Sequence, residues 1–174
     1  MEVSIANQIL SLLTILSQII SIVLVIAFLF PAKTKKIKQY FKKKAIYLAF
    51  LVSLTATLGS LYYSEIARFV PCTLCWYQRI FMYPQTFLFL TSIYKKTNDI
   101  YKYSLVLSFV GGIVALYHYL SQIGVTNTSG CPVIGYSISC SQKFVLQYGY
   151  ITIPLMAFSA FLLIFLLMLT LKRK

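Results

Sequence analysis

Charge is what this sequence is shortest of. Only 11% of its 174 residues are charged, against 59% hydrophobic, and its mean hydropathy is +0.80. A chain so composed cannot clothe a soluble domain in hydrated groups, so lipid is the expected solvent. Other absences narrow the field. No internal repeat or low-complexity linker is present, so the chain does not read as an array of units. The first apolar run has no basic segment ahead of it and is too long for the hydrophobic part of a signal peptide, so it reads as a span. Beyond Arg79 the apolar runs hold almost no ionisable group apart from the single histidine, His118. A transporter would lack a path for its ion or substrate.

The charge that is present is clumped. Of 16 Lys and Arg, seven lie between Lys33 and Lys44, three are Lys95, Lys96 and Lys102, and three are Lys172, Arg173 and Lys174. Only Arg68, Arg79 and Lys143 stand apart. A pI near 9.7 would suit nucleic acid, but clumps this short, flanked by apolar runs, are better read as juxtamembrane anchors. The expected surroundings are membrane lipid, with no nucleic-acid partner.

A bilayer core takes about 20 apolar residues per helix, and its lack of water obliges the backbone to satisfy its own hydrogen bonds. Five runs qualify, approximately Ile9 to Phe30, Ala45 to Tyr63, Tyr77 to Tyr94, Tyr103 to Ile123 and Tyr150 to Leu171. Five spans let all three basic clumps be cytoplasmic at once, which puts the N-terminus outside, the C-terminus in the cytoplasm and all four cysteines on the non-cytoplasmic side. The expected fold is an all-α membrane protein: a four-helix transmembrane bundle plus an additional N-terminal transmembrane helix. Residues 1–44 hold that helix and a basic loop, and residues 45–174 the four-helix bundle. The first span carries Ser11, Ser17, Gln18 and Ser21, and either packs beside the others or serves only as an anchor. Tyr47, Tyr63, Tyr94, Tyr103 and Tyr150, near span ends, read as interfacial belt residues.

Disulfides persist outside the cytoplasm, so cysteines grouped there as Cys72-Thr73-Leu74-Cys75 and a wider pair, Cys131 and Cys140, read as redox groups or as staples. The Cys-x-x-Cys follows Pro71 and opens an apolar helix, where backbone N–H groups favour thiolate, the species that exchanges disulfides; Cys75, deeper in the turn, is expected to gain most. Arg79, at i+4 and about 6 Å further along by helical rise, can steady a thiolate or another developing anion, or can simply snorkel to the interface. Gln78 offers a neutral hydrogen bond. A zinc site shared by both cysteine pairs fits reducing compartments and soluble folds better, so no metal is expected. Gly124, Gly130, Pro132 and Gly135 predict irregular structure around Cys131 and Cys140. The short apolar run from Phe144 to Tyr148 is expected to rest on the bilayer surface and to hold that loop beside Cys72. His118, inside the fourth span, is either a functional group or a partner in an inter-helix hydrogen bond.

Taken together, Pro71-Cys72-Thr73-Leu74-Cys75-Trp76-Tyr77-Gln78-Arg79, then Met82-Tyr83-Pro84, the Cys131/Cys140 loop and Gly149-Tyr150-Ile151-Thr152-Ile153-Pro154-Leu155-Met156 resemble the DsbB family of disulfide-forming membrane oxidoreductases, especially its BdbC branch. The resemblance covers residues 45 to 171 and implies a bacterial plasma-membrane thiol oxidase with a bound quinone (menaquinone or ubiquinone) and a thioredoxin-fold partner. It further implies that Cys131 forms the mixed disulfide with the partner, Cys140 exchanges with Cys72, and Cys75 passes electrons to quinone with Arg79 assisting. His118 resembles a family histidine. The additional first span departs from the family's four. The quinone-linked vitamin K epoxide reductase homologues place their loop pair ahead of the Cys-x-x-Cys, the reverse of the order here.

Overall fold

The computed structural model describes residues 2–30, 34–126 and 139–172. Among them five α-helices follow one another: α1 (Glu2–Leu29), α2 (Lys35–Leu61), α3 (Thr73–Lys95), α4 (Tyr101–Gln122) and α5 (Ile153–Lys172). Each is at least 20 residues long, about 30 Å at the helical rise, which matches a hydrocarbon core. Four segments are both long and apolar enough to cross a membrane: Val3–Leu29, Lys35–Ile66 (α2 with the turn that follows it), Tyr101–Gln122 and Ile153–Lys172. The run expected to form the third span is helix α3, whose 23 residues suffice in length but which holds no stretch as apolar as those four. The cause lies on its inward face, where Gln78, Gln85, Thr86 and Ser92 are buried.

Helix α5 lies at the middle of the bundle, packed on α1, α2 and α4, while α3 fits between α2 and α4. Phe161, Ile164, Leu167 and Met168 of α5 are fully buried, facing Ala45 and Ala49 of α2, Phe89 of α3 and Ala115 of α4 in one apolar core. Small residues let the backbones approach. A Cβ added at Gly111 of α4 would stand 2.5 Å from the ring of Phe161, so glycine there is what allows α4 and α5 to meet. Polar groups tie other seams. Fully buried Gln85 accepts hydrogen bonds from Ser104 (2.7 Å) and Ser108 (2.9 Å) of α4 and donates to the carbonyl of Phe81, next to the turn where Pro84 lacks an N–H.

Successive helices alternate in direction, as end-to-end contacts show. Tyr63, after α2, donates to Asn7 near the start of α1 (2.9 Å), and Thr34, before α2, donates to the carbonyl of Ala27 near the end of α1. Lys35–Lys44, Lys95, Lys96, Lys102 and Lys172 therefore gather at one end of the bundle, and Cys72, Cys75 and Cys140 at the other.

Two local departures shape the cysteine end. α2 widens into a π-helical turn at Tyr62–Ile66, which turns Tyr63 inward. It is 5% exposed, so Tyr63 is a packing residue and not a belt residue, unlike Tyr94 at 87% and Tyr103 at 68%. After Cys140 the chain makes a tight turn. Gln147 and Ile151 exchange two 2.9 Å backbone bonds around Tyr148 and Gly149, both at positive φ. Phe144 stacks on Phe69 at 4.8 Å, and Phe69 on Tyr63 at 5.8 Å, a stack three rings deep beside the Cys-x-x-Cys.

Candidate functional site

Cys72 occupies the N-cap of α3 in an extended conformation, and its carbonyl accepts the first helical bond from the N–H of Trp76. This puts Cys75 one turn in, with the two sulfurs 3.2 Å apart. That is hydrogen-bond range for sulfur and far beyond the roughly 2.05 Å of a disulfide, so the pair is a dithiol. Cys140 is disulfide-bonded. Cys131 lies outside the described residues.

His118 joins the two halves of the site. Its Nε2 lies 3.1 Å from the carbonyl oxygen of Cys140 and 3.6 Å from Cys72 Sγ, and its Nδ1 lies 2.9 Å from Nε2 of Gln78. A carbonyl only accepts, so Nε2 carries a proton; Nδ1 then accepts from the Gln78 amide, which orients the ring. Gln78 is 7% and His118 2% exposed, so neither has water as an alternative partner. The Cys72 thiol is held well below its usual range, to about 4, first by the hydrogen bond from Cys75 and then by His118, against the opposing effect of burial. Helix position alone favours Cys75, but the histidine stands beside Cys72. The charge settles there, and Cys75 supplies the proton between the sulfurs.

One sulfur of each thiol and one His118 nitrogen lie within 4.8 Å of one another, a spacing that a metal ion accepts. The tautomer opposes it. Nε2 presents a proton to the sulfurs instead of a lone pair, and binding a metal would require His118 to release Cys140 and the Gln78 amide to turn over.

Cys75 separates two cavities. On one side is a small pocket of about 30 Å³ that also touches Cys72, His118, Gln122, Cys140 and Phe144. On the other is an apolar cavity of about 390 Å³, within the usual range for small-molecule sites, bounded by α1, α2, α3 and α5, with Arg79, Ser60 and Tyr83 among its few polar lining groups. The Arg79 guanidinium is fixed there. Nε donates to Ser60 Oγ (3.0 Å), Nη2 to the Ser60 carbonyl (3.2 Å), and Trp76 lies beneath it at 5.0 Å. Of the residues singled out in the sequence, Cys72, Cys75, Gln78, His118 and Cys140 come together, and Arg79 faces the larger cavity. Gln78 reaches that cavity too, but its amide is committed to His118. Sequence reasoning missed Ser60 and Trp76. Trp76 had a signal, its i−3 relation to Arg79; Ser60, a lone serine in a distant helix, had none.

A family model described as "Disulfide bond formation protein DsbB" matches residues 42–171. The chain belongs to the DsbB family. Among its relatives, "Disulfide bond formation protein C" of Bacillus subtilis is 40% identical over 127 residues, 73% of this chain and 91% of the relative. "Probable disulfide formation protein C" of Halalkalibacterium halodurans is 41% identical over 126 residues, 72% and 91%. "SPbeta prophage-derived disulfide bond formation protein B" of Bacillus subtilis is 42% identical over 132 residues, 76% and 84%. No solved structure gives a significant match. The DsbB-family stretch contains the whole cysteine site and leaves α1 outside it. A role in disulfide formation follows, in a multi-pass membrane protein with apolar helices of spanning length.

Proposed function

We propose that this DsbB-family protein oxidises the thiols of a thioredoxin-fold partner on the extracytoplasmic face of a bacterial plasma membrane and delivers the electrons to a membrane quinone. One observation carries the reading: Cys75 stands on the wall between a pocket holding Cys140 and an apolar cavity holding Arg79. In this reading α3 also spans the bilayer, its polar face buried in protein, with the basic clumps cytoplasmic and the N-terminus outside.

The chemistry balances in three exchanges. A partner thiolate attacks Cys131 of the Cys131–Cys140 disulfide and expels Cys140; the partner's second thiolate then attacks its first sulfur in the mixed disulfide and expels Cys131, leaving the partner oxidised and Cys131 and Cys140 reduced. The Cys140 thiolate attacks Cys72 of the Cys72–Cys75 disulfide and expels Cys75; attack by Cys131 on Cys140 then restores the loop disulfide and leaves Cys72 and Cys75 as the dithiol. Quinone, when bound, accepts two electrons and two protons as the Cys72–Cys75 disulfide reforms. The apolar cavity fits a prenylated ring, and Arg79, fixed by Ser60 and Trp76, would hold a ring oxygen near Cys75. His118, held by Gln78, steadies charge on Cys72 and keeps the Cys140 backbone beside it.

The test is quinone reduction by the purified protein given a reduced thioredoxin-fold partner. Wild type is expected to turn over, Cys75→Ser to lose turnover entirely, and Arg79→Ala to fall by roughly ten- to hundredfold, the worth of a charged hydrogen bond. Cys131→Ser should abolish trapping of the mixed disulfide. Undiminished turnover in Cys75→Ser would sink the scheme.

A further inference from the structure

α1 lies ahead of the family match at residues 42–171, yet it is built into the bundle. Tyr63 donates to Asn7 (2.9 Å), Gln18 donates to Ser159 of α5 (3.1 Å), and Tyr150 donates back to Gln18 (3.4 Å). Leu10 fills the space over Gly59 of α2, where an added Cβ would come within 3.2 Å of it. These contacts fix the rotation of α1. They turn a stripe of Ser11, Thr14, Ser21 and Leu24 fully inward and bring Leu10, Leu13, Leu16 and Ile20 to the cavity that holds Cys75 and Arg79.

The same cavity reaches the surface beside α1. α1 packs closely on α5 and only lightly on α2. Of the cavity-lining residues on that looser seam, Leu13 is 43%, Leu16 52% and Leu51 of α2 56% exposed. Leu16 and Leu51 sit near the middle of their helices. Depth, apolar lining and exposure together describe an opening toward hydrocarbon, one that only an apolar chain would occupy.

We propose that α1 is the outer wall of the quinone cavity, and that the gap between α1 and α2 at Leu13, Leu16 and Leu51 is the portal through which the quinone's prenyl tail passes into the bilayer. This rests on the quinone reading above. The head of the quinone meets residues of the family stretch, whereas its tail meets α1, so α1 sets the preference for tail length without touching the reacting atoms.

The experiment compares a one-isoprene quinone with a long-tailed one, using full-length protein, a fixed reduced partner and the double variant Leu16→Trp/Leu51→Trp. The KM for the long-tailed quinone is expected to rise roughly tenfold, the scale of bulk forced into an occupied space, while the KM for the short quinone and for the partner stays within about twofold. Equal KM changes for both quinones, or none, would overturn the portal. Failure of wild type to reduce either quinone would overturn the quinone reading itself. A long-tailed quinone with a photoreactive group in its tail gives a second measure on the unaltered protein. Labelling within residues 10–20 is expected, and labelling confined to α2–α5 would refute the assignment.

Discussion

Gln78 and His118 work as one unit. The amide fixes the ring's tautomer, and the ring's remaining proton is shared between the Cys140 carbonyl and Cys72. Because the Cys72 value is depressed from 9.0 to about 4, the folded dithiol carries a thiolate at neutral pH that an unfolded chain does not. The associated stabilisation is complete above the unfolded value, declines as pH falls below it, and is gone once pH passes below about 4. Ultraviolet thiolate absorbance of the dithiol form should therefore persist well below neutrality, and Gln78→Leu, which frees the ring to rotate, should move its loss to higher pH. An absorbance that titrates like an ordinary thiol would contradict this. The sequence exposed the cysteines, Arg79 and His118, because each is a rare residue in an apolar setting. It could not show that Gln78 serves His118 or that Ser60 serves Arg79, since those pairings join residues 40 and 19 positions apart through helix packing.

Among the elements, α4 and α5 meet where Gly111 leaves room for the ring of Phe161. Gly111→Leu should lower the thermal midpoint markedly and cost about 1–3 kcal/mol through overpacking, read by scanning calorimetry in detergent. Gly112, whose added Cβ would lie 3.7 Å from Phe161, should accept alanine with little change. The apolar runs were legible as helices because lipid leaves a long uncharged run few alternatives. The expected ends of α1 and α2 fell short by seven to ten residues, since polar and lysine-rich turns, invisible to a search for apolar runs, continue the helices at Glu2–Gln8 and Lys35–Lys44. The π-helical turn at Tyr62–Ile66 had no signature at all, although it is what takes Tyr63 out of the interface.

On the scale of the molecule, the alternating helices put every described basic clump at one end and the Cys-x-x-Cys at the other. In cells, single cysteines introduced near Asn7 and near Lys172 of a variant lacking the native four should react with an impermeant maleimide only at the first site. Labelling at Lys172 alone would invert the proposed orientation. In the orientation proposed above, the lysines that gave the sequence its nucleic-acid-like charge would hold the bundle upright, with its thiols turned away from the reducing side.

The three-ring stack of Tyr63, Phe69 and Phe144 connects the end of α2, the lead-in to the Cys-x-x-Cys and the segment after Cys140. Phe144 also touches both cavities. In the proposed scheme, a partner drawing the Cys140 segment toward itself would strain the contact of Phe144 with Phe69, and so reach the wall of the cavity beside Arg79. Loading and unloading would then be timed against each other by a single aromatic contact, with no moving helix required.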